Sequence, residues 1–183
     1  MTAAPRLLVL GLGNVLCGDD GLGVAAVARL TQRFEIAPEV RVADGGTLGL
    51  ALLGLFDGVD EVLLVDAIQA DALPGTLVVL DGEDVAPAAR ARLSVHQVGV
   101  ADLLDALDLL GARPRRLALV GLVPERIELG MQRSAAVERA LPDLVARVAR
   151  EIRERGHGVV PRRSGGAHPQ PAVDRDAARA LGL

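Results

Sequence analysis

The fold is decided near the N-terminus, where an apolar segment runs into a glycine-rich, acidic turn. The stretch reads Leu7-Leu8-Val9-Leu10-Gly11-Leu12-Gly13-Asn14-Val15-Leu16-Cys17-Gly18-Asp19-Asp20-Gly21. Leu7–Leu12 is a continuous apolar run that ends at Gly13-Asn14, and such a run predicts a strand buried on both faces. Strands of this kind are typical of parallel sheets that are covered by helices.

The segments that follow the turn alternate between helical and extended patterns. We predict helices over Gly23–Phe34 and Leu48–Leu55, and short strands over Val40–Ala43 and Glu61–Val65. Together with the first strand this gives a β-α-β-α-β order. That order predicts a parallel sheet covered by helices.

The second half of the chain adds an antiparallel strand and completes the sheet. A fourth strand is predicted at Thr76–Leu80, after the turn Pro74-Gly75. Only Ala67–Gly75 separates it from the third strand, and a parallel crossover needs a dozen or more residues, so we expect it to run antiparallel to the third. A third helix, a fifth strand and a closing helix are predicted at Val98–Leu110, Leu117–Leu122 and Ala135–Arg153. The expected fold is therefore a three-layer α/β fold with a five-stranded, mostly parallel sheet.

The C-terminal part of the chain changes in composition. Pro142 falls inside the closing helix and is expected to kink it or to start it afresh. From Gly156 onward the sequence is rich in Pro, Gly and Arg. We expect residues 1–155 to form a single α/β domain and residues 156–183 to be a loose extension.

Composition excludes several classes of protein. The net charge is −4, with two Phe and no Trp or Tyr, so the basic surface and the aromatic stacking platforms of nucleic-acid-binding proteins are missing. The one cysteine, Cys17, excludes an internal disulfide and a Cys-only zinc or iron–sulfur site within one chain. We expect neither nucleic-acid nor membrane partners.

The N-terminus loosely resembles a secretion signal, because Arg6 is followed by the apolar stretch Leu7–Cys17. That stretch is short and broken by glycines, and no small-residue cleavage site precedes Cys17. No run of apolar residues is long enough to span a membrane. We therefore expect a cytoplasmic protein. We also expect it to act as a monomer.

The acidic turn allows more than one interpretation. A Gly-x-Gly after a buried strand also occurs in dinucleotide-binding proteins, but their motif has Gly or Ala where this chain has Leu16. Asp19 and Asp20 at the start of the helix would repel phosphate and attract a cation. Acidic residues at this position also cap free N–H groups of a helix. One cap explains one of the two acidic residues and leaves the other unexplained.

Asp66 ends the third strand, which is otherwise built of Val and Leu. Ligands of open α/β sheets bind outside the carboxyl ends of the strands, and the first and third strands deliver Asp20 and Asp66 to the same edge. The alternative is that Asp66 forms a turn by bonding its own backbone.

His96 lies in Ser94-Val95-His96-Gln97, which has the capping-box spacing just before an apolar helix. In the first helical turn the helix dipole disfavours the imidazolium, and a neutral ring is the form that binds metals. The alternative is an ordinary surface histidine. Two carboxylates and one imidazole would suit a borderline divalent metal.

Six short motifs occur in order between about Leu7 and Arg153. They are Gly11-x-Gly13-Asn14-x-Leu16-x-x-Asp19-Asp20-Gly21-x-Gly23, Asp44-Gly45-Gly46-Thr47, Val65-Asp66-Ala67, Pro74-Gly75-Thr76, Ser94-Val95-His96-Gln97-x-Gly99 and Gly121-Leu122-Val123-Pro124-Glu125. Together they resemble the motifs of the hydrogenase maturation endopeptidases. Leu129-Gly130-Met131 departs from the Gly-Leu-Ser-like segment of that family, and the chain from Gly156 onward lies outside the resemblance.

The resemblance implies a five-stranded twisted sheet and an endopeptidase. Asp20, Asp66 and His96 match the family's metal-contacting residues, and the family has Glu or Asp at the position of Asp20. The implied substrate is the folded large-subunit precursor of a nickel–iron hydrogenase, from which a C-terminal extension is cut after a basic residue. Nickel would come with this precursor, so no permanently bound cofactor is expected. Asp20, Asp66 and His96 are then both the metal-contacting and the catalytic candidates, with Asp44 a weaker candidate for general base.

Three other hypotheses about the function remain open. A cysteine peptidase would pair Cys17 with His96. A nickel chaperone would use the same three ligands without cutting a peptide bond. A nucleotide-binding module would use the Gly-x-Gly turn in spite of its acidic residues.

Overall fold

The structure is a computed structural model that describes residues 6–90 and 98–162. The strands are β1 (Leu7–Leu12), β2 (Phe34–Ile36), β3 (Val40–Gly46), β4 (Glu61–Ala67), β5 (Leu77–Asp81), β6 (Arg116–Leu122) and β7 (Val159–Pro161). The helices are α1 (Leu22–Arg33), α2 (Val85–Arg90), α3 (Val98–Leu109) and α4 (Ala135–Glu154). The main sheet has five strands in the order β3-β1-β4-β6-β5. All of its pairs are parallel except β5 with β6, which confirms the predicted fold class.

The sheet is buried on both faces because its central strands alternate two sets of apolar side chains. Leu7, Val9, Leu63 and Val65 point to the face that α1 and α4 cover. The opposite face is formed by residues such as Leu8, Leu10, Val62 and Leu64, and it packs against Leu52, Leu103 and Leu107 from the layer that contains α3. Each fully buried leucine contributes about 2 kcal/mol from the loss of exposed apolar surface. These two cores give the three layers expected from the sequence.

Strand β5 runs antiparallel, as predicted, but its partner is β6 rather than β4. Leu77 pairs with Leu122 and Asp81 pairs with Ala118. The short connection from β4 therefore passes the end of β6, and the chain returns as an outer strand beside β6. The sequence predicted the direction of this strand but not its neighbour.

Two helical predictions differ from the structure. The second predicted helix is a 3-10 helix, Gly49–Leu55, rather than an α-helix. The closing helix α4 runs without interruption from Ala135 to Glu154, so Pro142 does not start it afresh. Pro142 lies on the exposed side, where water can reach the carbonyl group that its missing N–H leaves unbonded. The buried side of α4, which includes Leu141, Leu144 and Val148, holds the helix against the sheet.

Strands β2 and β7 were not anticipated. They form a separate antiparallel pair in which Phe34 lies opposite Pro161 and Ile36 lies opposite Val159. Strand β7 belongs to the segment that we expected to be loose, so residues 156–162 are part of the folded body. Residues 163–183 lie outside the described residues. Within the described ranges, no helix is long and apolar enough to cross a membrane.

Candidate active site

Glycines give the turn after β1 its tight course. Gly13 has φ +115°, and a Cβ atom on it would lie 1.8 Å from the carbonyl oxygen of Asp20. A Cβ atom on Gly23 would lie 2.1 Å from the carbonyl oxygen of Val65. The start of α1 is therefore packed against the carboxyl ends of β1 and β4. The glycines serve close backbone packing, which a side chain at either position would prevent.

Asp20 is fully buried in the 3-10 turn Gly18–Gly21 that precedes α1. Its Oδ2 atom accepts a hydrogen bond of 2.7 Å from the N–H group of Asn14, and Asn14 Oδ1 accepts one of 2.9 Å from the N–H group of Leu16. The N-cap residue of α1 is Gly21, without a side-chain cap. In a nucleotide site the backbone N–H groups of the glycine-rich turn would bind phosphate. Here the N–H group of Asn14 bonds Asp20 instead, which argues against a nucleotide site.

Asp19 is also fully buried, but its carboxylate faces a different part of the chain. It accepts hydrogen bonds from the backbone N–H groups of Glu125, Arg126 and Ser134, at 2.9, 3.2 and 2.6 Å. All three donors lie between β6 and α4. The two adjacent acidic residues therefore have separate partners, and neither is the N-cap of α1.

Asp66 lies near the end of β4 and has 2 % of its surface exposed. Its Oδ1 atom accepts a 2.7 Å hydrogen bond from the N–H group of Ala67. Its sheet partner is Gly121, where a Cβ atom would lie 1.8 Å from the carbonyl oxygen of Asp66. Asp20 and Asp66 are both buried at the carboxyl edge of the parallel strands, as the sequence predicted.

His96, the third predicted site residue, lies outside the described residues, so its position relative to the two carboxylates stays a prediction. Among residues 6–90 and 98–162, no three His, Cys, Asp or Glu side chains are grouped so that they could hold a metal ion. The described part of the site consists of two buried carboxylates. A metal centre built from this chain would therefore need a ligand from elsewhere.

The weaker candidates lie at the same edge. Asp44 is exposed and accepts a 2.9 Å hydrogen bond from the N–H group of Gly46, which gives it a role in a turn. Cys17 is partly exposed, and its backbone forms an isolated bridge with Gly130. The alternative in which Cys17 pairs with His96 involves a residue outside the described ranges.

The segment between β6 and α4, residues 123–134, lies at this edge, and we name it the rim loop. The sequence analysis did not predict its hydrogen bonds to the turn after β1. At its end, Ser134 caps α4 by accepting a 3.3 Å hydrogen bond from the N–H group of Val137. Arg133 donates to Glu138 at 2.9 Å, and Arg29 of α1 bonds the other oxygen of the same carboxylate. The hydrogen bond from Arg29 is the main reason that the pKa of Glu138 lies below its ordinary 4.5, against a smaller opposing effect of burial, and Arg133 adds to it. A serine before an apolar helix could have indicated the cap, but nothing local indicated the bonds to Asp19.

A separate cavity of about 380 Å³ lies at the opposite edge of the sheet. It is lined by apolar residues such as Phe56 and Leu107 and by charged ones such as Asp60, Arg113 and Arg115. The residues before β4 and β6 line this cavity, so it does not coincide with the candidate active site.

Solved structures with the same architecture define the class of this protein. The hydrogenase maturating endopeptidase HybD of Escherichia coli superimposes with a TM-score of 0.82 at 38 % identity, over 86 % of this chain and 98 % of that one. The NiFe hydrogenase maturation protease HybD of Thermococcus kodakarensis gives a TM-score of 0.66 at 30 % identity, over 84 % of this chain and 99 % of that one. The fold is that of a maturation endopeptidase.

Sequence comparison identifies the family. Residues 24–151 match the model of the hydrogenase maturation protease family. The hydrogenase 2 maturation protease of Escherichia coli strain K12 is 38 % identical over 158 residues, which cover 86 % of this chain and 96 % of the relative. The hydrogenase expression/formation protein HupD of Rhizobium leguminosarum bv. viciae is 37 % identical over 94 % of this chain and 86 % of its own length. The chain belongs to the hydrogenase maturation protease family and is an endopeptidase.

Proposed function

We propose that this protease removes the C-terminal extension of the large-subunit precursor of a nickel–iron hydrogenase, and that it recognises the precursor through the nickel already bound there. Asp20, Asp66 and His96 are the residues proposed to contact that nickel. The observation that supports the proposal most is the burial of Asp20 and Asp66 at one edge of the sheet, in a chain that belongs to the maturation proteases. Proteins rarely bury carboxylates fully without a structural or functional reason.

An incomplete set of ligands suits transient contact with a metal that arrives with the substrate. Two carboxylates and a neutral imidazole are acceptable ligands for a borderline divalent ion and leave positions for the precursor's own ligands. Nickel would then be recognised as part of the substrate, and this chain would need no resident cofactor. A precursor without nickel would lack the group that these residues bind.

The same residues are proposed to carry the chemistry. Contact with nickel fixes the precursor against the carboxyl edge, and such positioning is a large part of catalysis in general. Asp20 or Asp66 accepts the proton of the water that attacks the scissile carbonyl. Asp44 is a weaker candidate because it is exposed and already accepts the N–H group of Gly46.

The proposal is tested by incubating the purified protein with precursor prepared with and without nickel. Mass spectrometry of the large subunit then reports whether its C-terminus has been shortened. We expect cleavage of the nickel-loaded precursor and none of the nickel-free precursor. Cleavage of nickel-free precursor in the presence of a chelator would overturn recognition through nickel. An uncut nickel-loaded precursor would overturn the processing role and favour a nickel chaperone.

A further inference from the structure

Asp19 anchors the rim loop at both of its ends. Its Oδ2 atom accepts the N–H groups of Glu125 and Arg126, near the start of the loop, and its Oδ1 atom accepts the N–H group of Ser134, the last residue of the loop. A carboxylate that accepts several backbone N–H groups is held firmly, because hydrogen bonds to a charged acceptor are the strong ones. Both of its oxygen atoms are used in these bonds to the rim loop, so the carboxylate acts on the loop.

Backbone hydrogen bonds join the middle of the rim loop to the turn that carries Asp20. Gly18 donates to the carbonyl group of Gly130 at 2.6 Å, and Gly130 donates to that of Leu16 at 2.8 Å. The N–H group of Asp19 bonds the carbonyl group of Arg126 at 3.3 Å. The rim loop and the turn after β1 are therefore one connected unit beside the buried carboxylates.

This unit exposes large apolar side chains. On the rim loop the exposed fractions are 40 % for Ile127, 89 % for Leu129 and 72 % for Met131, and on the turn they are 45 % for Val15 and 54 % for Leu16. Single exposed apolar residues are common on protein surfaces. Several of them on two loops joined by hydrogen bonds form a patch, and patches of this kind mark sites of protein contact.

We infer that Asp19 is a positioning residue that holds the rim loop in place so that Leu129 and Met131, with Leu16, form the surface on which the folded large-subunit precursor docks. The inference rests on the proposed function, because it takes the precursor as the occupant. The occupant follows from the continuity of the patch with the candidate active site, since the turn that exposes Leu16 also carries Asp20. A protein that presents its chain end to the carboxyl edge must lie against this rim.

Asp19→Asn tests the anchor. The carboxamide keeps one acceptor oxygen but turns an NH₂ group toward backbone N–H donors, so part of the anchor is lost. We expect KM for nickel-loaded precursor to rise about tenfold, which corresponds to about 1.4 kcal/mol of binding, while kcat stays within about twofold. We also expect trypsin to cut after Arg126 about tenfold faster in the variant, because an opened loop is a better protease substrate. A merely structural role would lower the fraction of active enzyme and hence the apparent kcat, with KM and the cutting rate of the remaining folded protein unchanged.

Two rim variants test the docking surface without touching the anchor. Leu129→Asn and Met131→Gln replace exposed side chains, so their melting temperatures should match that of the parent protein, and each should raise KM severalfold. The matched control is Leu109→Asn at the end of α3, which is 88 % exposed at the other edge of the sheet and should leave KM unchanged.

The outcomes separate this inference from the proposed function. If the parent protein leaves nickel-loaded precursor uncut, the proposed function fails, and the inference that depends on it falls too. If the parent protein cuts the precursor while Asp19→Asn and both rim variants keep its KM, the inference alone is overturned. If Asp19→Asn does not fold, the rim variants with their Leu109 control decide the question by themselves.

Discussion

Acidic residues are held differently at the two ends of the parallel strands, which are the amino edge before β1, β4 and β6 and the carboxyl edge after them. At the amino edge, Asp60 lies 3.5 Å from Arg6 and 3.9 Å from Arg115, and Glu61 lies 3.4 Å from Arg116. At the carboxyl edge, the hydrogen bonds described for Asp19, Asp20 and Asp66 come from backbone N–H groups. An arginine cancels a carboxylate's charge, whereas a backbone N–H group orients the carboxylate without adding a full positive charge. Ion pairs thus link the starts of neighbouring strands at the amino edge, whereas the carboxylates at the carboxyl edge belong to the proposed site of nickel recognition.

The largest expected effect is the loss of processing when a carboxyl-edge charge is removed. Asp20→Asn and Asp66→Asn keep the size of the side chain and one acceptor oxygen, so both proteins should fold. We expect kcat/KM for the nickel-loaded precursor to fall at least about 100-fold in each, as when one electrostatic contact of a transition state is lost. The control at the other edge is Asp60→Asn, for which processing should stay within about twofold. Equal rates for all three variants would remove the distinction between the edges.

His96→Gln should leave the precursor uncut while the protein melts close to the parent temperature. Glutamine keeps polarity and reach but is a poor ligand for a borderline metal. Because only the neutral imidazole binds a metal, activity should fall at acidic pH, where the ring becomes protonated. His157, which lies 3.6 Å from Glu39 far from the candidate site, supplies the control, and His157→Gln should process normally. Normal processing by His96→Gln would show that the three-residue site is wrong.

Gly13→Ala should be the most destabilising single change at the carboxyl edge. The new Cβ atom would lie 1.8 Å from the carbonyl oxygen of Asp20, at a residue whose φ is +115°. Clash and backbone strain together should cost about 3 kcal/mol or more. Gly111→Ala, at φ +63° with no atom within 4 Å of the new Cβ, is the control without a clash and should cost about 1 kcal/mol. Urea unfolding measures both values, and similar losses would mean that close packing around Asp20 is not what the glycine provides.

Glu151→Gln should destabilise the protein without changing the chemistry of the site. Burial alone would raise the pKa of Glu151, but hydrogen bonds from Arg155 and Arg147 outweigh it and hold the pKa below its ordinary 4.5. The stabilisation is therefore present above pH 4.5 and is lost as the pH falls through the lowered pKa in the folded state. Near neutral pH the variant should lose about 3 kcal/mol, because Arg155 remains buried. The difference in stability between parent and variant should shrink as the pH falls below 4.5, and a constant difference down to pH 2 would contradict this account.

The parts of the fold that the sequence predicted are those encoded locally. Leu7–Leu12 and most of Glu61–Val65 are apolar runs of strand length, so they were recognisable as buried strands without any partner. The direction of β5 followed from the short connection that precedes it. Its pairing with β6 did not, because a strand's neighbour depends on contacts that are remote in sequence. Strands β2 and β7 are three residues each, too short to carry a period, and they pair across more than a hundred residues of chain.

The candidate site also contains features that were predictable from local sequence and features that were not. The positions of Asp20 and Asp66 at one edge follow from the rule that parallel strands end on the same side. The role of Asp19 was not predictable, because its partners are backbone N–H groups 106, 107 and 115 residues away, and a backbone group leaves no trace in the sequence. Capping was a reasonable expectation for an acidic residue before a helix, but here a distant loop takes up the carboxylate instead.

The bonds of Asp19 also order events during folding. They close a loop of more than a hundred residues, and contacts between such distant parts of a chain are costly in entropy and tend to form late. During synthesis, Asp19, which lies beside Asp20 in the turn after β1, can accept all three of its hydrogen bonds only after Ser134 has left the ribosome. The rim loop of this protease therefore cannot take up its final position before most of the chain has been synthesised.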